Sequence, residues 1–266
     1  MNRVVVITGA SAGIGAAIAA ELGRRGNRLV LAARSEDALK RVATGITESR
    51  GAGGAAPHIV VADVTQRADV ARIRDEALSA FDHVDVWINN VGKGILRSAI
   101  ELSDEDIDEM MSVNVKSALY GMQAIVPHFR QRGRGHLVNI SSFLGRVPVA
   151  TPRSAYNAAK AALNALTANV RVDLQRTHPG IHVSLVMPGL VSTDFAKHAR
   201  GAGAGLAGPP SGPLASPMQP QTAEQVATAV ADLLDNPVAE IYTNPASRGL
   251  ADRYFADVGK FEAERR

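Results

Sequence analysis

The run Arg3-Val4-Val5-Val6-Ile7-Thr8-Gly9-Ala10-Ser11-Ala12-Gly13-Ile14-Gly15 decides how this chain is read. Val4 to Ile7 are four β-branched residues without polar alternation, the pattern of a strand buried on both faces of a parallel sheet. Three glycines come next, and a helix-like segment over 13–25 follows. Glycines at a strand-to-helix turn let the backbone approach a pyrophosphate, whose charge then sits against the N–H groups of the helix start. The spacing is Gly-x3-Gly-x-Gly rather than the common Gly-x-Gly-x2-Gly. A Gly-rich turn alone is unspecific, because tight turns need glycine anyway. Its place after the first strand of an alternating chain is what points to a dinucleotide.

Working outward, strands are expected at 3–7, 28–33, 58–61, 84–89, 135–140, 182–187 and 240–243. Helical composition fills 13–25, 36–48, 66–80, 104–130, 155–177 and 223–234, and Thr222-Ala223-Glu224-Gln225 resembles a capping box. Strict alternation of this kind predicts an α/β fold: a single-domain, doubly wound, Rossmann-type parallel sheet of about seven strands with helices on both faces. The whole of 1–266 reads as that one domain. Two stretches break the rhythm. Residues 51–57 form a Gly/Ala turn. Residues 201–220 are mostly Gly, Ala and Pro, which suits either a linker or a lid; the region 190–221 is read as a flexible substrate loop.

Composition narrows the function. Of 266 residues, 46% are hydrophobic and 21% charged, ordinary for a soluble globular protein. The net charge of +3 (29 Lys+Arg against 26 Asp+Glu) is scattered, and four Tyr, six Phe and one Trp offer few stacking platforms, so nucleic acid is not an expected partner. No apolar run reaches membrane-spanning length, and the first apolar stretch is too short for a signal peptide. With no cysteine, a disulfide framework and a thiol nucleophile are excluded, and a cytoplasmic location is expected. His178 and His182 are separated by Pro179-Gly180, which breaks any shared helix face, so no metal is expected.

The second strand ends Ala33-Arg34-Ser35. An acidic residue here would bond the ribose 2′-OH of NAD, whereas an arginine accommodates the 2′-phosphate of NADP. Arg34 with Ser35, and no carboxylate at Ala33, favours NADP(H) over NAD(H). Tyr156 and Lys160 lie four apart in a helical segment and share a face. A cation beside a phenol lowers its pKa, so such a tyrosine can exchange a proton near neutral pH. Ser141 and Ser142 close the fifth strand, at the edge where a parallel sheet presents its ligands.

With these residues in place the chain resembles a short-chain dehydrogenase/reductase from Arg3 to about Asp194. Thr8-Gly9-x3-Gly13-Ile14-Gly15, with Ser11 inside it, matches the family's cofactor turn. Asp63-Val64 matches its adenine contact, and Asn89-Asn90-Val91-Gly92 its Asn-Asn-Ala-Gly motif, with Val for Ala. Asn114 falls on the catalytic Asn, Ser142 on the catalytic Ser, and Tyr156-x3-Lys160 on the catalytic pair. Pro188-Gly189-x3-Thr193 matches the loop at the nicotinamide carboxamide. The resemblance implies carbonyl–alcohol interconversion by hydride transfer, with Tyr156 as general acid/base. By the same resemblance Lys160 bonds the nicotinamide ribose, Ser142 bonds the substrate oxygen, and Asn114 holds a water. It also implies a small-molecule substrate and a homodimer or homotetramer. The 142–156 segment is one residue longer than the commonest family spacing, which leaves Ser141 as an alternative hydroxyl. The usual Val-Asp-Gly-Gly ending is absent. A non-catalytic NADP(H)-binding regulator is the alternative function, with an epimerase third. Lys93 and Arg97 could favour an acidic substrate or could be solvated.

Overall fold

A computed structural model describes residues 2–51, 55–196, 199–201 and 219–264. Most of the 201–220 stretch, read above as a lid, lies outside the described residues. The elements run β1 (Val4–Thr8), α1 (Gly13–Arg24), β2 (Arg28–Ala33), α2 (Glu36–Arg50), β3 (His58–Val61), α3 (Arg67–Phe81) and β4 (Val86–Asn89). They continue with α4 (Asp104–Met111), α5 (Ser117–Arg132), β5 (Gly135–Ile140), α6 (Ser154–Thr177), β6 (Ile181–Met187), α7 (Ala223–Asp235), β7 (Glu240–Tyr242), α8 (Pro245–Ala256) and α9 (Val258–Ala263).

The strands form one seven-stranded sheet in the order β3-β2-β1-β4-β5-β6-β7, every pairing parallel. Successive strand side chains point to opposite faces, so β1 feeds two cores. Val4 and Val6 pack with α3, α5 and α6, whereas Val5 and Ile7 pack with α1, α2 and α7. That explains the unbroken apolar runs: both faces are covered.

The helix expected over 104–130 is interrupted by a π turn at Ser112–Lys116. Asn114 Nδ2 donates to Met110 O (3.1 Å), the carbonyl that an α-helix would offer to Asn114's own N–H. Ser117 Oγ likewise takes Val113 O (2.6 Å). Side chains compete for the ladder here, and the turn widens. The second departure is at the C-terminus, where α8 and α9 form beyond the last element expected. Asn244 caps α8 and Pro245 occupies its first turn. Leu250, Ala251 and Phe261 from this pair pack against Phe143 and Val147, next to the end of β5. Among the described residues no helix is long and apolar enough to cross a membrane.

Candidate active site

Strand order reverses between β1 and β4, and in open parallel sheets the crevice at that switch point is where ligands bind. A cleft of about 2020 Å³ opens there, along the C-terminal edge of the sheet. Every sequence-derived site residue lines it except Gly15 and Asn114, which stand directly behind its wall. Asn90 explains how the two halves are joined. Its Nδ2 donates to Thr8 O (3.1 Å) and Gly9 O (3.2 Å), and its backbone N–H donates to Thr8 Oγ1. Asn90 therefore fixes the glycine turn.

The turn itself is built for close approach. Gly9 has φ +66° and Gly13 φ +54°, both left-handed. A Cβ on Gly15 would lie 2.2 Å from Gly9 O and 2.5 Å from Asn90 Nδ2, so no other residue fits. Ala12, at the start of α1, provides no side-chain cap, and the first turn carries no acidic residue. By contrast α2, α4 and α7 are capped by Ser35, Ser103 and Thr222. The exposed N–H groups and the helix dipole of α1 thus face the cleft unopposed by a protein anion, with Ser11 and Ile14 beside them. Thr193 stands opposite, its Cγ2 3.7 Å from where a Gly13 Cβ would be, and brings the loop after Pro188 over the helix start.

Farther along, Arg34 is exposed at the cleft and makes no ion pair among the described residues. Ser35 Oγ accepts Ala38 N–H at 3.4 Å, a weak cap that leaves its hydroxyl proton free. Glu36 is taken up by Lys40 (2.7 Å). Asp63 Oδ1 accepts both the N–H (3.0 Å) and the hydroxyl (2.8 Å) of Thr65, which shapes the turn where Val64 is buried.

At the other end, Tyr156 and Lys160 rise from α6 into the end of β5. Tyr156 is buried, and burial pushes its phenol above the ordinary value. The Ser142 hydroxyl and the charge of Arg153 act in the opposite direction. Lys160 was expected to lower this phenol. Instead its Nζ sits 5.8 Å from the ring centroid and donates to Ile140 O (3.0 Å). Burial pushes Lys160 itself down to about 8. Ser142 and Ser141 are separated by orientation. Ser142 Oγ accepts Leu144 N–H (3.1 Å) and meets Tyr156, while Ser141 Oγ donates to Asn164 Oδ1 (2.5 Å) on α6. Asn114 is fully buried. Its Oδ1 accepts Lys93 N–H (3.1 Å) and its Nδ2 donates to Lys93 O (3.0 Å), so the side chain pins the loop after Gly92.

Sequence reasoning missed several groups. Phe195 packs on the Tyr156 ring, with centroids 5.6 Å apart. Gly145 lies so close to α6 that a Cβ would come within 2.7 Å of the Lys160 carbonyl carbon. Behind the site, Trp87 Nε1, Asn89, Asn139 and Thr167 form a buried hydrogen-bond chain across β4, β5 and α6. Asn89 opens the recognised Asn89-Asn90-Val91-Gly92 motif and Asn139 stands two residues before Ser141, which was the available signal. Lys93 and Arg97 are not free cations: Lys93 pairs with Glu109, and Arg97 with the fully buried Asp106 (3.2 Å).

Residues 3–202 match the family described as short chain dehydrogenase. An uncharacterized oxidoreductase, YxnA, of Bacillus subtilis is 35% identical over 199 residues, covering 74% of this chain and 54% of its own length. An uncharacterized oxidoreductase of Staphylococcus haemolyticus is 36% identical over 195 residues, covering 72% of this chain and 79% of its own. Among solved structures, a short chain dehydrogenase/reductase from Burkholderia phymatum in complex with NAD superimposes with TM-score 0.82 at 29% identity, over 100% of this chain and 96% of that one. The alcohol dehydrogenase of Thermococcus sibiricus, complexed with 5-hydroxy-NADP, gives 0.77 at 28%, over 92% and 97%. The chain belongs to the short chain dehydrogenase family of oxidoreductases.

Proposed function

We propose that this chain is an NADP(H)-dependent oxidoreductase interconverting a carbonyl and a secondary alcohol on a small-molecule substrate, with Tyr156 as general acid and base. The observation that carries the reading is the convergence of Tyr156, Ser142 and Lys160 in the cleft, with the Ser142 hydroxyl acting on the Tyr156 phenol and the Lys160 Nζ 5.8 Å from its ring centroid. A dinucleotide fits the other end. The space behind Gly9 admits no Cβ at Gly15, and the uncapped start of α1 aims N–H groups at a pyrophosphate.

When bound, the nicotinamide cofactor supplies and accepts the hydride. Gly9, Ser11, Gly13, Ile14 and Gly15 hold its pyrophosphate, Asp63 and Val64 its adenine, and Pro188 and Thr193 its nicotinamide end. Arg34 and Ser35 take the 2′-phosphate, since nothing acidic stands at Ala33 and Glu36 is engaged by Lys40. Ser142 holds the substrate oxygen through its hydroxyl. Tyr156, kept protonated by burial, donates its proton to that oxygen in reduction and takes it back in oxidation. Lys160, largely charged at pH 7, replenishes the proton, and the buried Asn114 keeps the neighbouring loop in place.

The proposal extends to a single domain over 1–266, a homodimer or homotetramer, and a cytoplasmic location in keeping with a cysteine-free sequence. Purified protein should consume NADPH with members of a carbonyl panel and bind NADPH more tightly than NADH at one fixed salt concentration. Tight NADPH binding with no consumption across the panel would favour the non-catalytic regulator.

A further inference from the structure

The cations around the substrate end of the cleft are nearly all spoken for. Lys93 pairs with Glu109, Arg97 with Asp106, Arg200 with both acids (2.7 and 2.9 Å), and Arg146 with Glu240. Arg153 differs. It lines the cleft half-buried, three residues before Tyr156, and makes no ion pair or side-chain hydrogen bond among the described residues. The remaining positions, 1, 52–54, 197–198, 202–218 and 265–266, include no Asp or Glu, so no side-chain carboxylate from them can neutralise it. Its backbone is held firmly. Arg97 N–H donates to Pro152 O (2.6 Å), and Ser154 Oγ donates to Arg97 O (2.8 Å).

The Arg153 guanidinium opens into the cleft without a protein acceptor among the described residues, so its fork is available for two-point contact with a ligand carboxylate. One unit charge matches a carboxylate better than a phosphate, which carries close to two negative charges at pH 7. Leu96, Leu144, Val149, Phe195 and Leu250 give the same end of the cleft apolar walls. We propose that Arg153 is the carboxylate receptor of the substrate pocket, and that the preferred substrate is a keto acid or its hydroxy acid with an apolar chain between the two groups. The inference rests on the reading of Tyr156 as proton donor. In reduction the ketone carbon gains a hydride and its oxygen gains the Tyr156 proton, NADPH is oxidised to NADP+, and the carboxylate is unchanged. Arg153 is close enough that its charge favours the Tyr156 phenolate, so a bound carboxylate would also screen that effect.

Calorimetric titration of the NADP+-loaded protein tests this without turnover. The probes are 4-oxopentanoate and 5-oxohexanoate, each beside its methyl ester. At least one acid should bind about tenfold or more tightly than its ester. Arg153→Gln should abolish that preference with ester binding unchanged, and Arg153→Lys should restore part of it. Tyr156→Phe should keep the preference, which separates failure of this inference from failure of the catalytic reading. Esters that bind as well as or better than the acids, no binding by any acid, or an acid preference that survives Arg153→Gln would each overturn it.

Discussion

Ser141 and Ser142 are adjacent hydroxyls that sequence spacing could not separate, and their hydrogen bonds separate them. Ser142→Ala should cost about 10²–10³ in kcat, the range for losing one oxyanion donor. Ser141→Ala, which removes a tie to Asn164, should act mainly on stability; steady-state kinetics of both variants decide the assignment, and a larger kinetic loss at Ser141 would reverse it. The same scale holds the cofactor preference. Arg34→Ala should weaken NADPH about tenfold to a hundredfold and leave NADH nearly unchanged, as read by fluorescence titration. A parallel loss for both cofactors would place Arg34 outside the 2′-phosphate site. Residue identities at the site were legible because each carries distinctive chemistry. The sign of the Tyr156 shift was not, because it depends on burial and on where the Lys160 ammonium points, and neither is written in a four-residue spacing.

Helices and turns explain why those residues meet. The glycine turn and the β-α alternation were readable, since strand burial and turn chemistry are local properties. The π turn at Ser112–Lys116 was not, because the side chains of Asn114 and Ser117 take the carbonyls of Met110 and Val113 while Asn114 also bonds a distant loop at Lys93. Helix α8, capped by Asn244 with Pro245 in its first turn, was not anticipated, and its packing on Phe143 is long-range. Gly15→Ala would place a Cβ 2.2 Å from Gly9 O. Overpacking of that kind costs about 1–3 kcal/mol, and here it should also displace the N–H groups of α1. Thermal unfolding together with cofactor titration should therefore show a modest stability loss and a large affinity loss. Unchanged cofactor affinity would mean that the turn does not carry the pyrophosphate.

Across the whole molecule, two properties go beyond any single element. His136 is buried between β5 and β6, and burial pushes it down to about 3. Its Nε2 meets Ser184 Oγ (2.9 Å), whose own proton goes to Val238 O, so Nε2–H is the donor. Between about 3 and 6.5 the unfolded chain binds a proton at this site and the folded chain does not. Stability should therefore fall by about 1.4 kcal/mol per pH unit as pH drops through that window. His136→Asn should flatten the acid limb of a denaturant-midpoint profile; an unchanged slope would place the acid sensitivity elsewhere. Ala161, Ala165 and Val172 leave an exposed stripe of small and apolar residues on α6, the helix that carries Tyr156 and Lys160. Light scattering at micromolar concentration should return at least a dimer mass, and a monomer would count against the proposed assembly.

The central claim is that Tyr156 is the proton donor, set by Ser142 and Lys160 in a cleft whose far end holds the cofactor. Tyr156→Phe removes one hydroxyl and leaves the aromatic packing against Phe195 in place. The measurement that tests the claim most directly is NADPH consumption by this variant with the best wild-type substrate, with NADPH affinity titrated on the same sample. The account predicts turnover reduced by at least about a hundredfold with cofactor affinity near wild type. Near-wild-type turnover in the variant would contradict it.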